Sequence, residues 1–135
     1  MKVCIAGGGR VGRYLAQSLL TNHHSVVIIE PIEAQCRMLA DSLDIPVICG
    51  DSISVDTLRT ADVGSCNAFV AVTGSDEDNL VACQIAKREF GVVRRMPSTF
   101  CLIMPYSCIW RLASAYCRCS WSFCSANSLY SVFRT

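Results

Sequence analysis

Over its first 95 residues the chain switches repeatedly between two hydrophobic periods. "KVCIAG", "SVVIIE", "IPVICG" and "AFVAVT" are short apolar runs, and each predicts a buried strand. "SVVIIE" is nearly continuous and β-branched, as in strands covered on both faces of a parallel sheet. Between these runs apolar residues recur at helical spacing. Val11, Leu15 and Leu19 share one helix face, and Ile32, Cys36, Leu39 and Leu43 another, with Pro31 expected in the first turn of the second helix. Ser54 is placed to cap a short helix through Leu58. Asp76 is placed to cap a longer one with Leu80, Cys83, Ala86 and Phe90 on its inner face. The order is β-α-β-α-β-α-β-α, which predicts an α/β, Rossmann-like, doubly wound parallel sheet.

The 135 residues fit one domain, but its character changes near Arg95. All eleven Asp and Glu residues and both lysines lie between Lys2 and Glu89. From Met96 to Thr135 there are none, and Ser, Cys and aromatics crowd in instead. The expected division is a nucleotide-binding domain over 1–95 and an atypical tail over 96–135, with the fold truncated or altered after the fourth βα unit. Two readings of the tail stand side by side. It is the product of a reading-frame change, which scrambles composition and packs poorly. Or it is a divergent native segment in which "TFCLIM", around Phe100–Met104, supplies a fifth strand beside the fourth.

Charge and cysteine usage narrow the function classes. A formal net charge of +1 makes no electrostatic case for nucleic acid or a membrane surface. "KVCIA" runs straight into glycines, without the apolar core or cleavage site of a signal peptide. The stretch from Phe100 to Tyr116 is broken by Pro105 and Arg111 and is too short to span a bilayer. Cys4, Cys36, Cys49, Cys66 and Cys83 are scattered singly, with no C-x-x-C pair among them, and read as small buried hydrophobes in a reducing compartment. In the tail Cys117 and Cys119 make a C-x-C pair, which is not a standard structural zinc pattern.

The candidate chemistry begins at the first strand-to-helix turn. Gly7, Gly9 and Gly12 have the spacing G-x-G-x-x-G. There Gly7 allows a tight turn, Gly9 lets backbone approach a pyrophosphate, and Gly12 lets the helix pack closely. The first-turn N–H groups and the helix dipole then face phosphates. Glu30 ends the second strand, 18 residues past Gly12, where it can accept both ribose hydroxyls. It would repel a 2′-phosphate, which favours NAD or an adenosine nucleotide over NADP. "CGDS" places Asp51 and Ser52 after strand three, and "VTGSDEDN" places Thr73, Gly74 and Asp76 at the topological switch point. Asp51 reads equally as a turn aspartate and Asp76 as a plain helix cap. Arg10 either reaches phosphate or is solvated. Arg37 belongs on an exposed helix face, and His23 and His24 in a surface turn.

"KVCIAGGGRVGRYLAQSL", "VVIIE", "IPVICGDS" and "NAFVAVTGSDEDNLVACQIAK" together resemble the TrkA-N domain, also called KTN or the RCK N-terminal domain. The match runs in order over about residues 2–95, including "GD" after strand three and T-x-S-D-E-x-N after strand four. By position Gly7, Gly8, Gly9, Arg10, Val11 and Gly12 match the family's phosphate loop, and Glu30 its ribose-binding acid. Asp51 and Ser52 match its adenosine-side turn, and Thr73 with Gly74 its strand-four contact. The resemblance implies a cytoplasmic regulatory domain that binds NAD(H) or ATP/ADP. Such a domain passes its bound state to a membrane potassium transporter or channel subunit. It works as a dimer or ring, held at the inner face of the membrane through that partner, without inserting and without nucleic acid. After "REFGVVRR" the family continues as x-I-A-R-V, and this chain does not.

The competing class is the cofactor-binding part of an NAD-dependent oxidoreductase, since fold alone does not fix function. Against it, the recognisable sequence leaves no substrate domain. No Ser-x-x-x-Lys, Tyr-x-x-x-Lys or His-Asp arrangement offers a general acid or base. A non-enzymatic sensor is therefore expected, with no catalytic and no metal-binding residues. A cysteine-based metal or redox protein ranks last.

Overall fold

The computed structural model describes residues 1–92 and the backbone of residues 101–103. β1 (Lys2–Ala6), β2 (Ser25–Glu30), β3 (Val47–Cys49), β4 (Ala68–Ala71) and β5 (Cys101–Ile103) form one sheet in the order β3-β2-β1-β4-β5. Every pairing is parallel. β1 lies at the centre, with Ala6 opposite Ile29 on one side and Ala71 on the other. The connections are α1 (Arg10–Thr21), α2 (Glu33–Leu43), α3 (Val55–Thr60) with a 3₁₀ turn at Val63–Ser65, and α4 (Asp76–Glu89).

Successive strand side chains point to opposite faces, so each strand feeds two cores. Val3, Ile5, Val26 and Ile28 pack under Ala16 and Leu19 of α1 and Leu39 of α2. Cys4, Ala6, Val27, Ile29 and Phe69 pack under Leu58 of α3 and Ala82, Cys83 and Ala86 of α4. Two helices on each face make the sheet doubly wound and Rossmann-like. The continuous apolar run of "SVVIIE" follows directly: Ile28 and Ile29 face opposite ways and both are fully buried. Each such side chain contributes about 1.5–3 kcal/mol.

Local details depart from the sequence pattern. The N-cap of α4 is Ser75, not Asp76, which is the first helical residue. Ser75 has the extended backbone a cap requires, and its hydroxyl accepts the Asp78 N–H at 3.2 Å. The inner face of α4 is Asn79, Ala82, Cys83 and Ala86, while Leu80 is 49% exposed. Helix α2 starts at Glu33, so Pro31 precedes it and Ile32 takes the N-cap position, half exposed. Cys49 is exposed rather than buried, because β3 is an edge strand. Cys101–Ile103 pairs beside β4, with Cys101 opposite Phe69. The rest of the segment from Met96 onward, to which the reading-frame expectation refers, lies outside the described residues.

Candidate functional site

In a parallel sheet all carboxyl ends lie along one edge, and this edge gathers the residues singled out above. Gly7 follows β1, Glu30 ends β2, Asp51 and Ser52 follow β3, and Thr73 and Gly74 follow β4. Backbone hydrogen bonds tie these turns together. The Gly7 N–H donates to the Ile29 carbonyl at 2.8 Å, the Gly50 N–H to Glu30 at 3.1 Å and the Val72 N–H to Ala6 at 2.8 Å. The chain leaves β1 toward β2 on one side, while β4 lies on the other. The crevice between the two turns is the switch point at which such sheets take ligands.

The glycines divide into two kinds. Gly7 has φ +109°, and a Cβ there would stand 2.7 Å from the Val72 carbonyl oxygen. A Cβ on Gly12 would come within 1.9 Å of the Gly7 carbonyl oxygen, so α1 packs on the turn only because that atom is missing. At Gly8 the obstacle is Leu39 Cδ1 at 2.4 Å. Gly9 is different. Its missing Cβ would meet nothing within 4 Å, so it looks onto open space. Three glycines satisfy the fold, and the fourth faces open space.

Gly9 is the N-cap position of α1, and Arg10 and Val11 begin its first turn. That turn carries no acidic residue. The first turn of α4 carries Asp76, Glu77 and Asp78, and that of α2 carries Glu33. A phosphate near this edge is repelled by the acids at α4 and α2 and attracted by the bare N–H groups of α1. Arg10 is exposed beside it.

Glu30 is the buried acid of the site, 5% exposed. Its Oε2 accepts the Gly8 N–H at 2.7 Å, and its Oε1 accepts the Ile32 N–H at 3.2 Å. A carboxylate offers about four acceptor positions. Both oxygens therefore keep capacity for further donors, such as a pair of ribose hydroxyls. Cys36 in α2 donates its thiol to the Glu30 carbonyl at 3.1 Å. Burial, and then contact with the Cys49 thiol, push Cys36 up to about 11.

Asp51 is exposed and closes its own turn: its Oδ1 accepts the Ile53 N–H at 3.0 Å. Ser52 beside it is buried. Thr73 is organised by a residue the hydrophobic pattern passed over. Asn79 is fully buried, and its Oδ1 accepts the Thr73 N–H at 2.8 Å and lies 2.7 Å from the Thr73 hydroxyl. Its Nδ2 donates to the Thr73 carbonyl at 3.4 Å. The available signal was an Asn six residues after Thr73 in a helix whose inner face is otherwise Ala and Cys. Gly74 is exposed in the same turn. Arg37 pairs with Glu33 on a solvated helix face, and His23 sits with φ 60° in the turn between α1 and β2, at the amino end of the strand.

Comparison with known proteins bears on the family and the fold. The family model of the TrkA-N domain matches residues 3–98. A "Trk system potassium uptake protein TrkA homolog" of Methanothermobacter thermautotrophicus is 45% identical over 92 residues, covering 68% of this chain and 42% of that protein. The Trk system potassium uptake protein TrkA of Vibrio alginolyticus is 34% identical over 96 residues, covering 71% and 21%. The chain thus spans less than half the length of these relatives. Among solved structures, the TrkA-N domain of inner membrane protein ybaL from Escherichia coli matches with a TM-score of 0.66 at 14% identity, covering 85% of this chain and 95% of that one. An AMP-bound Kef CTD from Shewanella denitrificans matches with a TM-score of 0.57 at 20% identity, covering 68% and 55%. At these identities the structural likeness is one of fold. Among the described residues, no helix is long and apolar enough to cross a membrane.

Proposed function

The chain belongs to the TrkA-N domain family, and from that premise we propose that it is a regulatory module that senses NAD(H) or ATP/ADP for a potassium uptake system. The observation that carries this reading is the pairing of open space at Gly9 with the buried carboxylate of Glu30 across one crevice. The phosphates lie over Gly7, Gly8, Gly9, Arg10, Val11 and Gly12, against the acid-free first turn of α1. The ribose hydroxyls donate to Glu30, and the adenosine lies toward Asp51 and Ser52. Thr73 and Gly74 close the far side of the phosphates. These residues bind and orient the nucleotide and supply no acid or base for its turnover.

The bound state passes to a membrane potassium-translocating subunit, with the domain acting as a dimer or ring at the cytoplasmic face. The names of its relatives support the potassium system, and the AMP in one fold neighbour supports an adenine nucleotide. The test is calorimetric titration of NADH and ATP, followed by incubation of bound NADH with a panel of aldehydes and 2-oxo acids. Saturable binding with constant cofactor absorbance is expected. Failure to bind either nucleotide overturns the sensing role, and sustained oxidation of NADH moves the chain to the oxidoreductase class.

A further inference from the structure

Two thiols converge beside the candidate ribose acid. Cys49 ends β3, and its Cα is the register partner of Glu30. The Cys36 thiol lies 3.1 Å from the Glu30 carbonyl oxygen, and the Cys49 thiol 3.9 Å from the next carbonyl oxygen, that of Pro31. The two thiols thus lie on consecutive carbonyls of one segment, one from α2 and the other from the sheet-edge strand, and the Cys49 thiol helps to raise Cys36. Cys36 is buried and Cys49 is exposed. A second pair of mutually shifted thiols, Cys4 and Cys66, is buried at both members and offers no sulfur to a reagent in solution.

We infer that Cys36 and Cys49 form a reversible disulfide that regulates the nucleotide site, closed by low-molecular-weight disulfides and reopened by thiols. The regulatory part rests on the reading of Glu30 as the ribose acid. In the first step the Cys49 thiolate attacks one sulfur of the small disulfide, forming a mixed disulfide and releasing one small thiolate. Cys36 then loses its proton to solvent and attacks Cys49 Sγ, expelling the second small thiolate. Two protein thiols are oxidised to one disulfide, one small disulfide is reduced to two thiols, and the two protons end on the departing thiolates. The order follows exposure, because only Cys49 can be reached first. Cys36, protonated up to about 11, stays quiet until the mixed disulfide is beside it.

Closing the bridge removes the Cys36 donor from the Glu30 carbonyl and ties the first turn of α2 to the edge strand. Glu30 is in contact with one anchor through its carbonyl and is the register partner of the other, and the Ile32 N–H that holds its Oε1 is two residues away. Nucleotide affinity therefore falls on oxidation.

The experiment uses the full chain, reduced or treated with glutathione disulfide. Trypsin separates the two cysteines, because Tyr14–Arg37 contains only Cys36 and Met38–Arg59 only Cys49. The expected result is a cross-linked pair of these peptides that dithiothreitol releases. With it, ATP binding weakens by about threefold or more and recovers on reduction. In Cys49→Ser, glutathione disulfide should leave ATP affinity unchanged. Absence of the cross-linked pair overturns the disulfide, and equal ATP affinity in linked and reduced chain overturns its regulatory role. A reduced chain that binds neither NADH nor ATP refutes the nucleotide reading and the regulation together, while the peptide map still decides the disulfide.

Discussion

The Gly8 N–H donates to Glu30 Oε2 at 2.7 Å, so the acid that ends β2 braces the glycine turn that ends β1. One side chain thereby holds the glycine turn and is also the acid proposed above for the ribose. Glu30→Ala should weaken NADH and ATP binding by about 1–3 kcal/mol through lost charged hydrogen bonds. It should also lower folding stability, because the Gly8 N–H loses its acceptor. Glu30→Gln keeps an acceptor oxygen and should recover stability before affinity. Calorimetry and urea unfolding read the two effects separately, and unchanged affinity of Glu30→Ala for both nucleotides rules out the ribose assignment.

Gly9 and Gly12 should fail in opposite ways. Gly9→Val adds a side chain to open space, so the fold should hold while nucleotide binding is lost. Gly12→Ala drives a methyl to within 1.9 Å of a backbone oxygen and should destabilise the fold by about 1–3 kcal/mol or more. Thermal unfolding beside calorimetry checks the contrast. A Gly9→Val chain that binds ATP like the wild type removes the pyrophosphate from this loop.

Asn79→Ala deletes the side chain that holds three Thr73 groups, in a fully buried position. The stability loss should be about 1–3 kcal/mol, the cost of leaving the Thr73 N–H without its acceptor. The urea midpoint of the variant measures it. A midpoint equal to that of the wild type would show that the β4–α4 turn does not depend on Asn79.

Stability should decline at alkaline pH, under reducing conditions. Cys36 is raised from the usual thiol value of 9.0 to about 11, so the folded chain keeps a proton that the unfolded chain has lost. Unfolding then releases that proton, and stability falls as pH rises from 9.0 toward about 11. Cys36→Ala should show a shallower fall across this window in urea unfolding. An identical slope in the two proteins contradicts the assignment.

What was legible in the sequence is what local periodicity records. "SVVIIE" announced a strand buried on both faces, because nothing polar could be spared from either side before Glu30. The spacing of Gly7, Gly9 and Gly12 announced a strand-to-helix turn, and the Gly12 constraint is local, because the atom its Cβ would strike is the Gly7 carbonyl oxygen. The inner face of α4 departs from the apolar period at Leu80, because a polar bond and not apolar spacing sets the helix's rotation. Asn79 turns inward to meet Thr73 across the turn, and that rotation carries Leu80 outward.

Tertiary structure alone decided the rest. That Gly9 opens on space while Gly12 presses on a carbonyl depends on how α1 lies over the first turn, which spacing does not encode. The exposure of Cys49 follows from β3 being the sheet edge, a fact of strand order and not of the β3 sequence. The convergence of Cys36 and Cys49 on Glu30 and Pro31 joins an edge strand to a helix through a third segment. Apolar period reports which side of an element is covered. It carries no record of which distant residue does the covering.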